Sequence, residues 1–323
     1  MELVAVDIGG THARFCIASI AADKSITLGE VITLKTGEYV SLQTAWEAFE
    51  ALAGGSVPRA ASIAIAGPVT GETVRMTNNS WVLQTGSLDK QLGLGAVTVL
   101  NDFAAVAHAV AQAPADTMIH LAGPEGPLPA TGTTSVVGPG TGLGVAHFHR
   151  FAGGYHVTPT EGGHIDFAPV DAVDDAILAR LRRAHRRVST ERVNSGPGIV
   201  PIYRTLCELE GREQSLVGDR AIWEAALAGS DTMAKAALQH FCMTLGSAAG
   251  DYALVHGANS VVMAGGLGYR IREHLVASAF AERFRFKGRY ETMMSRIPVK
   301  LIVKEEPGLF GAAAAFQQQH GVY

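Results

Sequence analysis

Apolar positions along the chain recur with two different periods. Short, nearly all-apolar runs occur at Leu3-Val4-Ala5-Val6, Phe15-Cys16-Ile17-Ala18, Ala61-Ser62-Ile63-Ala64-Ile65-Ala66 and Val97-Thr98-Val99-Leu100. Others follow at Ser135-Val136-Val137, Val145-Ala146-His147-Phe148 and Ser260-Val261-Val262-Met263-Ala264. All of these predict buried strands. Glu30 to Lys35 and Pro298 to Val303 read the same way. Between Ser41 and Leu52 the period changes, with Leu42, Ala45, Trp46 and Phe49 at helical spacing. Further helices are predicted from Phe103, over Asp174 to Arg187, Gly198 to Glu210, Asp219 to Ala228 and Asp231 to His256, and from Pro307-Gly308-Leu309-Phe310-Gly311 through Gln319.

Two pairs of these strands enclose glycine-rich turns. Asp7-Ile8-Gly9-Gly10-Thr11-His12-Ala13-Arg14 follows the first strand, and Gly138-Pro139-Gly140-Thr141-Gly142-Leu143-Gly144 follows Ser135-Val136-Val137. Each reads as strand, turn, strand, in which glycine lets backbone N–H groups close on an anion. Neither turn ends in Gly-Lys-Ser/Thr and neither opens a helix, so neither a P-loop nor a dinucleotide fingerprint fits. Two matching turns of this kind suggest a nucleotide held between two lobes. Ala113 to Thr133, rich in Pro and Gly, is expected to be a crossing between the lobes and not a repeat or low-complexity tract. The expected division is 1–112 with 304–323 returning to it, and 113–303.

Composition narrows the class. At 323 residues, 47% hydrophobic and 17% charged, the chain can bury a sizeable core in two domains. A net charge of −4 without a long Lys/Arg run argues against a nucleic-acid surface. Cys16, Cys207 and Cys242 are far apart and form no Cys-x-x-Cys pair, which fits a reducing cytoplasm better than a disulfide framework or a zinc knuckle. Met1-Glu2 leads straight into a strand and no apolar stretch reaches spanning length, so neither secretion nor membrane insertion is expected.

The polar residues beside these strands suggest phosphoryl transfer, which needs a phosphate cradle, a divalent ion and a positioned nucleophile. Asp7, ending the first strand, suits hydrated Mg²⁺. Asn101-Asp102 ends one strand where a helix begins, so Asp102 would take a proton from an acceptor hydroxyl; capping that helix is the structural alternative. Glu161-Gly162-Gly163-His164-Ile165-Asp166-Phe167 places a carboxylate and an imidazole around a diglycine, and Asn78, Asn101 and Glu191 supply groups of the same type for a polyol. Gly265-Gly266, at the end of a strand, invites a flat ligand near the backbone. His164 with His147, His149 or His156 lacks metal-ligand spacing, and His147 and His149 read as ordinary strand residues.

With these residues assembled, the chain resembles bacterial glucokinases of the hexokinase-type, non-ROK group within the actin-like ATPase superfamily. The resemblance runs nearly end to end and includes Met76-Thr77-Asn78-Asn79-Ser80-Trp81, Leu100-Asn101-Asp102-Phe103, Glu191-Arg192-Val193-Asn194-Ser195-Gly196-Pro197-Gly198 and Ala264-Gly265-Gly266, besides both turns, Glu161 to Phe167 and Pro307 to Gly311. It implies a two-lobed, ribonuclease H-like α/β sugar kinase fold with ATP and sugar in the interlobe cleft. It implies that Asn101, Asp102, Glu161, His164 and Glu191 bind glucose, with Asp102 as base for the 6-hydroxyl. Gly9, Gly10 and Thr11 and Gly140, Thr141 and Gly142 would flank the ATP phosphates, and Gly265 and Gly266 the adenosine. A homodimer is part of the same expectation.

Two departures matter. His12 stands where the family often has Asn. The cysteine-rich motif of the ROK sugar kinases is absent, so no structural zinc is expected, and no helix-turn-helix is expected before Leu3. The resulting expectation is ATP-dependent phosphorylation of D-glucose, with closure of the lobes excluding water. Another hexose, whether fructose, mannose or an amino sugar, would keep the fold. A nucleotide sensor or actin-like assembly protein would not need Asn101-Asp102 or the Glu161/His164 loop.

Overall fold

Each glycine-rich turn closes an antiparallel hairpin, and each hairpin founds a sheet. The computed structural model describes residues 1–69, 71–76 and 80–321. The chain divides into two units, Met1–Ala113 with the segment from Lys304 onward, and Pro114–Val303.

In the first unit β1 (Glu2–Ile8) pairs with β2 (His12–Ile20), which places Asp7 directly opposite Arg14. β3 (Ile26–Leu28) and β4 (Ile32–Lys35) both pair with β2. α1 (Leu42–Leu52) follows, its start fixed by a capping box between Ser41 and Thr44. β5 (Ala60–Ile65) joins β1 in parallel, and after the ribbon β6 (Thr73–Arg75) and β7 (Val82–Gln84) and the single turn α2 (Leu88–Gln91), β8 (Ala96–Asn101) joins β5 in parallel. α3 (Asp102–Gln112) leaves directly from its end.

β1 is apolar from Leu3 to Val6, where both its faces are covered. Val4 and Val6 face the Trp46 and Phe49 side of the core, where Phe15 stacks on Phe49 with ring centroids 5.0 Å apart. Leu3 and Ala5 face the opposite side, with Ala105, Leu309, Ala312, Ala313 and Phe316.

The second unit repeats the arrangement. β9 (Met118–Ala122) lies at one edge, followed in sequence by the hairpin of β10 (Gly132–Pro139) and β11 (Leu143–Phe151), with β12 (Gly154–Thr160) on β11. α4 (Ala172–Ala184), α5 (Ile199–Leu209), α6 (Asp219–Ala228) and α7 (Thr232–Val255) come next. β13 (Ser260–Met263) joins β10 in parallel, as β5 joins β1. After α8 (Gly266–Arg270), α9 (Arg272–Ala277), α10 (Phe280–Arg285) and α11 (Glu291–Met294), β14 (Val299–Ile302) joins β13. The order is β12-β11-β10-β13-β14-β9. Two thirds of α7 is buried, so it is the central helix of this unit. Finally α12 (Pro307–His320) packs against β1 and α3 of the first unit.

One strand is added to the expected set and one boundary is corrected. Within Ala113 to Thr133, Met118–Ala122 pairs antiparallel with β14 as the edge strand β9. Helix α4 spans Ala172–Ala184, not Asp174 to Arg187: Asp171 caps it by accepting the Val173 and Asp174 N–H groups, and His185 turns extended.

α3 and α12 approach so closely that a Cβ on Gly311 would lie 1.7 Å from the Ala105 carbonyl oxygen. Gly311→Ala therefore has to force the two helices apart. It is expected to destabilise the first unit by on the order of 3 kcal/mol, whereas Gly37→Ala, with nothing within 4 Å of the new atom, should change stability by less than about 0.5 kcal/mol. Urea unfolding of the two variants beside the parent chain checks this.

Candidate active site

The candidate residues fall into one group on each unit. In the first unit β1, β5 and β8 run parallel, so their C-terminal ends share one edge of the sheet, the usual place for chemistry in α/β folds. The Ala66 N–H donates to the Ile8 carbonyl there at 3.0 Å. Asp7 and the first turn end β1; Asn101 ends β8 and Asp102 opens α3, with β5 lying between β1 and β8, roughly 10 Å across the sheet.

Asn101, and not Asp102, is the N-cap of α3. Its Oδ1 accepts the N–H groups of Phe103 and Ala104 at 2.9 and 3.0 Å, and its Nδ2 donates to the Gly67 carbonyl and to Asp102 Oδ1, both at 3.0 Å. Asp102 Oδ1 also accepts the Phe103 N–H at 2.8 Å. The capping role is thus filled by the neighbour, and the Asp102 carboxylate is held in a fixed orientation at the helix start.

Asp7 is paired with its cross-strand neighbour: Arg14 Nη1 lies 3.4 Å from Asp7 Oδ2, and Arg14 Nε lies 3.7 Å from Glu306 Oε2. Burial raises the Asp7 carboxyl above its ordinary value, Arg14 opposes the shift, and Glu306 adds to it. Glu306 has φ +45°, a left-handed conformation that costs a non-glycine residue about 1 kcal/mol. Two residues on, Gly308 packs closely against the Asp7 carboxylate, where a Cβ would lie 2.7 Å from Oδ2.

Within the first turn the Gly9 N–H is committed to the His12 carbonyl at 2.9 Å, which leaves Gly10 and Thr11 at the tip as the candidate anion donors. The turn is braced by Thr36, whose N–H donates to the Thr11 carbonyl and whose hydroxyl donates to the Gly10 carbonyl. A hollow of about 500 Å³ lies beside it, lined by Thr11, His12, Lys35 and Glu38 among others.

In the second unit the Gly140 N–H is likewise committed within the turn, to the Gly142 carbonyl at 2.8 Å, so Thr141 and Gly142 form the tip. The Gly196 N–H donates to the Gly140 carbonyl, and Trp223 Nε1 donates to the Gly196 carbonyl. Gly265, at φ +84°, packs against the same turn with no room for a Cβ, which would lie 2.8 Å from the Pro139 carbonyl oxygen. The diglycine and the second turn are therefore neighbours.

Glu161 and His164 flank the short turn Gly162–His164 and both are exposed. Glu191 stands on the turn Thr190–Arg192 and accepts the Leu143 N–H through Oε2 at 2.9 Å. The two turns are tied together: the Thr190 N–H donates to the Ile165 carbonyl at 2.8 Å, and Asp166 bridges Ser189. Asn78 lies outside the described residues.

One other group has the convergence of a metal site among the described residues, Asp171, Asp174 and His240. Its middle is taken by Arg283, which donates to Asp174 and, at 3.2 Å, to Asp171 Oδ2. His240 Nε2 is 2.7 Å from Asp174 Oδ1. Burial alone would raise the Asp174 carboxyl, but the bonds from His240 and the Val170 N–H, with the Arg283 charge, hold it below its usual range. This is a clamp joining α4, α7 and α10.

The family profile described as Glucokinase matches residues 3–319. The chain belongs to the glucokinase family. It is 53% identical over 320 residues to a glucokinase of Zymomonas mobilis, covering 99% of both chains. Among solved structures, a glucokinase from an Antarctic psychrotroph is similar at TM-score 0.87 and 33% identity, covering 98% of this chain and 99% of the other. A ROK family glucokinase from Streptomyces griseus, solved in complex with glucose and AMPPNP, matches at TM-score 0.61 and 20% identity over 99% of this chain and all of the other, a likeness of fold. This member of the glucokinase family accordingly has the two-lobed, actin-like sugar kinase fold.

Sequence reasoning missed several residues that shape the site. Arg14 faces Asp7 because hairpin register puts it there; Glu306 and Gly308 reach Asp7 from the far end of the chain and left no local signal. A second omission is the contact of His147 with His256, ring centroids 4.5 Å apart, with His256 Nδ1 2.8 Å from Ser135 Oγ and the Tyr252 ring stacked on His256. Burial, with His147 beside it, depresses His256 to about 4; burial, with His156 nearby, also lowers His147.

The unfolded chain therefore binds more protons than the folded one from about pH 6.5 down to 4, and stability must fall on acidification through that window. The His256 contribution is bounded by about 1.4 kcal/mol per pH unit. His256→Asn should flatten the slope of unfolding free energy between pH 6.5 and 5, measured by urea titration at each pH.

Proposed function

We propose that the chain catalyses transfer of the γ-phosphoryl group of ATP to the 6-hydroxyl of D-glucose, giving ADP and glucose 6-phosphate, the first step of glycolysis. The observation that carries this reading is Asp102, held by Asn101 at the start of α3, in a chain of the glucokinase family. The 6-hydroxyl oxygen attacks phosphorus, the bond to the ADP oxygen breaks, and the hydroxyl proton passes to the Asp102 carboxylate.

Asn101, Glu161, His164 and Glu191 bind the other hydroxyls, and Asn78 belongs to the same set. Charged acceptors reject analogues that lack a hydroxyl, because the carboxylate is then left without its partner. Gly10 and Thr11, following Gly9, and Thr141 and Gly142, following Gly140, donate backbone N–H groups to the phosphates, and Gly265 and Gly266 offer bare backbone to the adenosine. Asp7 fits Mg²⁺: it is an oxygen donor at a strand end, and its close neighbour Gly308 has no side chain to crowd the carboxylate. When bound, the ion neutralises charge on the phosphates; Asp7 would hold it through water, and Arg14 fixes the carboxylate for that task.

A cytoplasmic homodimer belongs to the same reading. Three free, buried cysteines suit a reducing compartment, and no helix among the described residues is long and apolar enough to cross a membrane.

Initial-rate ADP release with Mg²⁺-ATP, alone and with glucose, fructose, mannose or N-acetylglucosamine, tests the function. Glucose should stimulate strongly; stimulation by another sugar alone moves the specificity, and none by any sugar overturns the kinase reading. Asp102→Asn should lower kcat by about 10²- to 10⁴-fold with glucose binding retained. Substantial remaining turnover would remove Asp102 as the base.

A further inference from the structure

The turns carrying Glu161, His164 and Glu191 are bonded to each other, so what fixes the pair to the body of the second unit decides where those side chains stand. Glu191 is fixed to the Leu143 N–H, and beyond it Asn194 Oδ1 accepts the Thr244 hydroxyl of α7 at 2.8 Å. The turn after Glu161 has a support of its own. Tyr252, on the last turns of α7 and 2% exposed, donates its hydroxyl to the Gly162 carbonyl at 2.9 Å. The Thr190 side chain adjoins the same phenol, and Glu191 is near enough for its charge to act on it. The ring is held in turn by His256, which Ser135 orients.

We propose that Tyr252 is a positioning residue for the sugar side of the reaction, its phenol holding the Glu161–His164 turn and the adjoining Glu191 turn in one arrangement ready for the polyol. The inference rests on the reading of Glu161, His164 and Glu191 as sugar ligands. It follows from where the bond falls: the Gly162 carbonyl, which also accepts the Ile165 N–H at 3.0 Å within the turn, is the point at which the α7 phenol holds the turn, while the Gly162 N–H is held from the sheet side by Thr160 Oγ1 at 3.2 Å. A buried phenol with a single donatable proton fixes that carbonyl without moving charge into the site. Two other supports of the site, Asn194 to Thr244 and Glu191 to Leu143, leave Gly162 untouched.

The test is Tyr252→Phe, which keeps the ring and its stacking and removes the donor. KM for glucose should rise roughly threefold to tenfold, the weight of one net hydrogen bond, with KM for ATP unchanged and kcat altered less than KM. Hydrogen exchange in the free protein should quicken over residues 160–167 and not elsewhere, since the His164 and Ile165 N–H groups close that turn. A purely structural tyrosine would lower the melting temperature and leave the KM split and the local exchange unmoved, which would overturn the proposal. Thr190→Val, which removes the hydroxyl beside the phenol, is the second variant should Tyr252→Phe fail to fold; it should move glucose KM in the same direction, and an unchanged KM counts against the proposal. Glu161→Gln in parallel separates the two layers. If it raises glucose KM while Tyr252→Phe does not, positioning by Tyr252 is refuted and the sugar-site reading stands; if it leaves glucose KM unchanged, the sugar-site reading fails and the proposal with it.

Discussion

One bond joins the two chemistries of the second unit: the Leu143 N–H donating to Glu191 Oε2. It sits where the second glycine turn re-enters its hairpin, so the carboxylate expected to face the sugar is set by the backbone expected to face the phosphates. The bond is possible only because Gly142 has no Cβ, which would lie 2.4 Å from that oxygen. Charge-assisted bonds of this kind are among the stronger ones a backbone can make. The hairpin therefore cannot shift without carrying Glu191, and through Thr190 the neighbouring Glu161–His164 turn, along with it.

The first unit has an equivalent in Asp7. Its carboxylate is fixed by a residue of the same hairpin, Arg14, and bounded by residues from the chain's other end, Glu306 and Gly308. In both units a carboxylate is located by a glycine turn together with a segment distant in sequence.

How much of this was legible in the sequence depended on range. The hairpins, the parallel strands and the long helix α7 follow from apolar periodicity, which is local. Strand β9 was hidden because an edge strand of five residues among prolines and glycines has no pattern strong enough to mark it, and its partner β14 lies far along the chain. The end of α4 was hidden for a related reason: arginine continues the helical pattern, but Val188 turns back to accept the Phe167 N–H. Among the candidate site residues, Asp7 and Asp102 stood out because they lie at strand ends, and Glu161 and His164 because they flank a diglycine. Their supports did not. Nothing near Tyr252 in the sequence shows that its hydroxyl meets Gly162, and an N-cap next to an acid gives no sign of which of Asn101 and Asp102 caps.

The first unit is assembled from both ends of the chain, and this bears on how it is made. Leu3, Ala5, Cys16 and Ala18 form a sheet face that is covered by Leu309, Ala312, Ala313 and Phe316. During synthesis that face waits, uncovered, while the whole of the second unit is built. The second unit is continuous in sequence and closes on itself, so it is free to fold as it emerges, whereas the first must hold an apolar surface open until α12 arrives. The segment that bounds Asp7 follows the whole of the second unit in sequence, so this carboxylate acquires its final surroundings only after that unit has been made.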